Sequence, residues 1–246
     1  HMTHSLPRTL LRPVGRAISD FRMIRKNDRI LLGVSGGKDS LTLLHLLSNL
    51  RRYSPTPFDL GAVTIDPQVQ GFDPSHLVNY LAELKIPFFL VREPIFERAR
   101  DHMTNNSYCS WCARMKRGAM YATARKNGYN VLAMAQHLDD LAESFLMSAF
   151  HGGRLQTMKA HYRIDEGDLR VIRPMVYVRE RQTRDFARRA GMPVITENCP
   201  ACFNMPTQRE HMKTLLAREE AENHGLFKSL LSAMKPLMSK GSSDVL

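Results

Sequence analysis

A chain of 246 residues, 43% hydrophobic and 24% charged, is long enough for one α/β unit with its own core, and it holds no apolar run near the about 20 residues that a membrane span needs. Its formal charge of +11 argues for a polyanionic partner. The basic residues crowd three stretches, 8–29, 114–126 and 179–189, and no signal-type apolar run follows Arg8, Arg12 and Arg16, so the expected location is the cytoplasm.

In chain order, residues 1–27 read as a basic helical arm, with RAISDFRMI amphipathic. DRILLGVSGG gives a buried strand, Ile30–Val34, running into a glycine turn. Asp39–Leu50 is an apolar helix. PFDLGAVTID is a second strand ending at Asp66, and 67–75 a loop with Ser75 as helix cap. HLVNYLAELK reads as a helix and PFFLVRE as a third strand. Cys109 falls in a polar loop before a helix over Ala113–Asn127 that stops at Gly128. YNVLAMAQ is a fourth strand. HLDDLAESFLMSAFHGG is a loop and helix closed by Gly152. VIRPMVYV is a fifth strand with Pro174 at a bend, RERQTRDFARRAG a helix with a glycine stop, and MPVITE a short extended piece. Two helices separated near Gly225 fill 207–238. Strands alternating with helices predict an α/β fold with a doubly wound parallel sheet over 28–206, flanked by the helical arm and a helical tail, 207–246.

The stretch GVSGGKDSLTLLHLL raises the question of what the turn holds. At a strand-to-helix turn, backbone amides and the positive end of the helix bind phosphate. Gly36 and Gly37 let the backbone come close, Ser35 and Ser40 add hydroxyls, and Lys38 adds charge. Asp39 either caps the helix or reaches a magnesium ion. The pattern is not the GxxxxGK loop of kinases and GTPases.

Four cysteines stand in two pairs, Cys109/Cys112 (CSWC) and Cys199/Cys202 (CPAC). In a reducing compartment such pairs point to metal ligation or redox work rather than to structural disulfides. A soft thiolate cage suits zinc or an iron–sulfur cluster equally, and spacing alone leaves the two open.

SGGKDS resembles the pyrophosphate-binding loop of the ATP pyrophosphatase superfamily, whose adenine nucleotide α-hydrolase-like sheet binds ATP and activates a carbonyl oxygen by adenylation. The series SGGKDS, CSWCARMKRGAMYATA, HLDDLAESFLMSAFHGGRLQTM, VIRPMVYVRE, CPAC and QRE is similar to the tRNA 2-thiocytidine synthetase family, from about Ala17 to Ala233. That resemblance implies ATP, Mg²⁺ and a [4Fe–4S] cluster, which together replace the 2-oxygen of an anticodon-loop cytidine with sulfur. It implies cluster ligands at Cys109, Cys112 and one of Cys199 and Cys202. It implies ATP contacts at Ser35, Gly36, Gly37, Lys38, Asp39, Ser40, Asp66, His137 and Asp140, with Lys38, Asp39 and Asp66 taking part in catalysis. The implied partners are tRNA and a sulfur donor, either a cysteine desulfurase or free sulfide, with no membrane; a homodimer is left open. The chain departs from the family at Gln136, where members commonly have glycine, and at KAHY over 159–162, where they tend to have prolines.

Several residues carry a plain structural reading beside the functional one. Asp139 and Asp140 suit magnesium, yet Asp140 and Glu143 also fit a helix capping box. His137 suits the nucleotide or an ordinary loop hydrogen bond. Asp66 suits the pocket or a turn before Pro67. Gly152, Gly153 and Arg154 suit a phosphate or a helix end. Trp111 suits packing, and the methionines suit core and tail packing. Arg114, Lys116, Arg117, Arg125 and Lys126 form either a solvated helix face or an RNA-backbone surface; with the two other basic stretches they favour RNA. Three alternatives remain: a thiolase or desulfidase acting on another nucleobase, an ATP-dependent ligase related to lysidine synthetase, and a zinc-structured RNA-binding protein with a vestigial nucleotide loop.

Overall fold

The computed structural model describes residues 5–102, 108–195 and 208–239. Strands β1 (Asp28–Gly33), β2 (Phe58–Asp66), β3 (Phe88–Arg92), β4 (Val131–Ala133), β5 (His161–Arg163) and β6 (Arg170–Ile172) form one sheet in the order β3-β2-β1-β4-β6-β5. Every pairing is parallel except β5 with β6. The order runs outward from β1 in both directions. The C-terminal ends of β1 and β4 therefore bound the crevice where open α/β sheets hold ligands.

Burial on both faces explains why the strands read as unbroken apolar runs. On β1, Ile30 and Leu32 enter one core, and Leu31 enters the other. The first core joins α1 (Arg8–Asp20), α2 (Lys38–Tyr53), α3 (Ser75–Glu83), α6 (Leu138–Gly152), α7 (Glu180–Ala190), α8 (Gln208–Glu222) and α9 (Leu226–Met238). The second lies under α4 (Ile95–His102) and α5 (Tyr108–Asn127). Leu10 and Val14 of the arm and Phe227, Met234 and Met238 of the tail are buried in the first core, so both ends of the described chain pack against the sheet layer. No helix of the described residues is long and apolar enough to cross a membrane.

Several local expectations are corrected. CSWC lies in the first turns of α5, not in a loop, because nothing between Tyr108 and Ala113 breaks a helix. An unforeseen helix, α4, precedes it. The fourth strand is three residues long, and the fifth stops at Ile172, since the chain turns at Pro174. The edge strand β5 was not legible at all, and it makes the sheet mixed rather than wholly parallel. Ser75 is the first residue of α3 rather than its cap, with its amide donating to Asp73 Oδ1. Helix α6 runs through Gly152 and ends at Gly153, which takes the left-handed conformation at φ 59°.

The N-terminal edge of the sheet is fastened by a buried polar knot. Arg170 donates to Asp28, and Asn130 Nδ2 donates to the other Asp28 oxygen at 3.0 Å. Arg170 also meets His161 Nε2 at 2.9 Å, while His161 Nδ1 lies 2.7 Å from the Phe21 carbonyl. Burial, with the charges of Arg170 and Arg25 adding to it, pushes His161 down to about 4 against the pull of the Phe21 bond. The ring is therefore neutral, donating from Nδ1 and accepting at Nε2. This knot explains the short β5: it carries the histidine that ties the arm to β6. Arg170→Met strands a buried carboxylate, so urea denaturation is expected to show a loss of about 3 kcal/mol; an unchanged midpoint would refute the role.

Candidate active site

The glycine loop begins where β1 ends. Val34 N donates to Val63 O at 2.8 Å, and Thr64 Oγ1 donates to Val34 O at 2.6 Å, which keeps the chain in line with β2. Gly36 then turns at φ +90°, a conformation side chains avoid, and a Cβ there would lie 2.8 Å from Ile195 Cδ1. The Ile195 amide donates to Gly36 O at 2.8 Å, so the segment after α7 braces the turn. Gly37 N donates to Ser35 Oγ, and Ser40 Oγ donates to Gly37 O, each at 3.2 Å. Gly37 is the N-cap of α2, and no side chain caps that helix. The helix start therefore faces the crevice with amides and positive dipole available to an anion.

Charge is concentrated behind this loop. Asp39 does not cap α2. Its Oδ1 accepts from Thr183 Oγ1 at 2.6 Å, and its Oδ2 lies 3.3 Å from Lys38 Nζ and 3.4 Å from His137 Nε2. Burial would raise the Asp39 carboxyl, but the hydrogen bond and charge of His137, then Thr183 and Lys38, hold it down at about 2. His137 is the N-cap of α6: Asp140 N donates to its Nδ1 at 3.2 Å, and Asp140 Oδ2 accepts from His137 N at 2.9 Å. The capping box is thus His137 with Asp140, not Asp140 with Glu143. Burial lowers His137, yet the Asp39 bond and the charges of Asp140, Asp39 and Asp139 raise it above its ordinary value.

Asp139 is occupied by structure. Arg179 Nε and Nη2 reach its two oxygens at 3.1 and 3.2 Å, and Glu180 N donates to it at 2.8 Å. Arg179 also pairs with Glu220 of α8 and stacks 3.4 Å over the Phe227 ring. Asp66, at the C-terminal end of β2, accepts from Gln68 N at 2.8 Å and lies 3.9 Å from Arg92, so it makes the turn and stands beside the loop rather than in its network. Gln136, the departure from the family pattern, accepts from the buried Arg173 at 2.8 Å; Arg173 donates to the Lys159 carbonyl at 2.7 Å, which brings both departures together. Among the described residues no group of three or more His, Cys, Asp or Glu side chains forms a metal cage.

Helix α5 packs on β2 and β4 and leads into β4, so it runs antiparallel to the strands. Met120, in its second half, lies against Gly33 at the C-terminal end of β1, where a Cβ would meet the Met120 sulfur at 3.0 Å, so the turns before it extend past that edge of the sheet. Cys109 and Cys112 sit three residues apart there, positions that share a helix face. Cys112 is half-buried against the second core with Trp111 and Met115. Cys199 and Cys202 lie outside the described residues. Arg114, Arg125 and Lys126 are exposed on α5, and Lys116 and Arg117 half-buried. Arg125 is already committed to Asp168, with Nε 2.6 Å from Oδ2.

Sequence reasoning gave no separate role to Thr183, Glu180, Arg179, Arg209 or Lys213, although Arg179, Glu180 and Arg209 stand inside the VIRPMVYVRE and QRE blocks; all of them pair across long sequence separations. It also missed Glu143 as a buried acid. Burial first, then the Asp140 charge, push Glu143 up to about 7, with Arg209 at 3.7 Å opposing. A carboxyl raised above its unfolded value of 4.5 contributes stability that is complete below that pH and lost as pH rises through about 7. Chemical denaturation should show Glu143→Gln abolishing about 2 kcal/mol of the decline between pH 5 and 8; parallel pH profiles for variant and parent would refute it. Gly36→Ala should both destabilise the loop, by about 1–2 kcal/mol, and weaken anion binding; wild-type values in both assays would contradict the strained turn.

Comparison with known proteins gives the chain its kin. The PP-loop domain family matches residues 8–210. A tRNA-cytidine(32) 2-sulfurtransferase of Geobacter sulfurreducens is 45% identical over 222 residues, covering 90% of this chain and 86% of the relative. The same-named protein of Pelobacter propionicus is 42% identical, covering 92% of this chain and 85% of its own length. Among solved structures, the U34-tRNA thiolase NcsA of Methanococcus maripaludis with its [4Fe-4S] cluster superposes with TM-score 0.75 at 18% identity, over 94% of this chain and 78% of that one. An NH3-dependent NAD synthetase of Campylobacter jejuni reaches TM-score 0.50 at 15% identity, over 96% and 95%. At these identities the structures speak for the sheet and its helices, while the sequence relatives speak for kinship. The chain belongs to the PP-loop family and, within it, to the tRNA-cytidine(32) 2-sulfurtransferases.

Proposed function

We propose that this enzyme uses ATP to activate the 2-oxygen of a tRNA cytidine, at position 32 as in its named relatives, and exchanges that oxygen for sulfur. The observation that carries the reading is the uncapped start of α2 beneath a glycine turn, at the same edge of the sheet as the cysteine-bearing start of α5. Ser35, Gly36, Gly37 and Ser40 would cradle the phosphates through amides and hydroxyls, and Lys38 would offset their charge. The cytosine O2 attacks the α-phosphorus and pyrophosphate leaves. Sulfide then attacks C2 and AMP leaves with the oxygen. The amides at the helix start stabilise the charge that builds on the departing pyrophosphate.

Mg²⁺ prefers oxygen ligands and keeps several waters, so one carboxylate and the nucleotide phosphates suffice. Asp39, ionised at the base of the loop, fits that demand, and Asp66 flanks it. Asp140 and His137 serve by holding Asp39 and the start of α6. Cys109 and Cys112, soft donors on adjacent turns, fit two ligands of a [4Fe–4S] cluster, with Cys199 or Cys202 as the third. When bound, that cluster would offer the iron left open by its three cysteine ligands to an incoming sulfide. Free sulfide would supply it directly, and a cysteine desulfurase would supply it once a two-electron reductant has cleaved its persulfide, in the cytoplasm where tRNA is found. Arg114, Lys116, Arg117 and Lys126 would follow the tRNA backbone.

Anaerobically prepared protein should carry about four irons and four sulfides per chain. Cys112→Ala should lose the iron and the thiolation while still binding ATP. Stoichiometric zinc with no iron after reconstitution would overturn the cluster chemistry and leave a zinc-structured RNA binder. Replacing Arg114 and Lys126 by alanine should weaken tRNA binding and flatten its salt dependence by about one unit of slope each, whereas Arg125→Ala, already paired with Asp168, should do less. Unchanged salt slopes would move the tRNA to another face.

A further inference from the structure

The C-terminal tail reaches the glycine loop through one carboxylate. Glu180, in the first turn of α7, is only 14% exposed and stands between two lysines. Lys38 Nζ of the loop lies 3.1 Å from its Oε1, and Lys213 Nζ of α8 lies 2.9 Å from each of its oxygens. The lysines hold the Glu180 carboxyl below its ordinary value against the opposing effect of burial. Neighbouring contacts keep α8 in this place: Arg179 reaches Glu220 at 2.6 Å, and Arg209 reaches Glu143 at 3.7 Å. Before a nucleotide arrives, Lys38 is therefore committed to two acids, Asp39 and Glu180.

A phosphate that recruits Lys38 must draw it from those acids. Asp39 keeps His137 and Thr183 when this happens. Glu180, without a second cation, would be left as an unpaired, largely buried carboxylate beside an incoming polyanion, which is costly in both desolvation and repulsion. Lys213 removes that cost, because it already spans both oxygens. We propose that Lys213, on the tail and outside the glycine loop, is a positioning residue for ATP: it keeps Glu180 neutralised so that Lys38 can transfer to the phosphates. The proposal rests on the reading of residues 35–40 as an ATP site, and it makes α8 a working part of that site.

The test is calorimetric titration of the full-length protein with Mg–ATP, in the absence of tRNA, for the parent, Lys213→Met, Glu180→Gln, the double variant and Lys213→Arg. Lys213 is half exposed, so methionine is compatible with the fold, and thermal melts check this. Lys213→Met should weaken ATP binding about tenfold. In turnover it should raise KM for ATP while leaving kcat at saturating ATP near the parent value. Lys213→Arg should retain parental affinity, and adding Glu180→Gln to Lys213→Met should restore affinity to within about twofold, since the unpaired charge is gone. Parental affinity in Lys213→Met, or a double variant as weak as the single one, would overturn the relay while leaving the ATP site standing. A parent protein that does not bind Mg–ATP at all would overturn the nucleotide reading, and the relay with it.

Discussion

Asp39 carries a negative charge into the mouth of the crevice, and the elements around it are arranged to keep it there. Thr183 of α7 donates to one oxygen. His137, the cap of α6, and Lys38, its own neighbour in α2, approach the other. Three helices are thereby referred to a single carboxylate at the switch point of the sheet. If the site is to hold ATP, this has a clear physical sense. An ionised aspartate beside a phosphate loop repels the nucleotide unless cations surround it, and once they do, it can hold a magnesium ion without its own pairing collapsing.

The wider charge pattern follows the same logic. The chain is strongly basic overall, yet the acids gathered around the loop, Asp39, Asp139, Asp140, Glu143, Glu180 and Glu220, are matched by His137, Lys38, Arg179, Arg209 and Lys213. Most of the excess positive charge is left for outer surfaces. Arginines of α1 and α7 are exposed on the layer opposite α5, and Gln182 of α7 donates to Thr9 of α1 at 2.8 Å, which joins the two helices into one basic face. On the proposed reading, phosphate binding is organised at two scales: a geometrically fixed glycine loop for one polyanion, and broad solvated faces for another.

What the sequence made legible was whatever depends on short range. The strand–glycine–helix turn was readable because Gly36 and Gly37 occur where an apolar strand meets an apolar helix, and the alternation of strands with helices foretold the sheet. The pairing of distant elements was not readable. His137 looked like a nucleotide contact or a loop residue, and only the fold shows it capping α6 while meeting Asp39. Glu180 and Lys213 are ordinary helix-surface residues in sequence, and become a pair because the tail folds back onto α7. The strand β5 was hidden because it is three residues long and is set by the His161–Arg170–Asp28 knot rather than by its own periodicity. Polar residues ahead of CSWC suggest a loop at Cys109, although nothing there opposes a helix and α5 starts at Tyr108.

The central claim is an ATP-dependent exchange of oxygen for sulfur on a tRNA cytidine. It is tested most directly by digesting tRNA to nucleosides after incubation with anaerobically reconstituted protein, sulfide and Mg–ATP, and measuring 2-thiocytidine by mass spectrometry. The expected result is 2-thiocytidine only when ATP is present, with AMP and pyrophosphate released in equal amounts. Sulfur gained without ATP, sulfur removed from a thionucleoside, or ATP consumed with no thiolated cytidine would contradict it.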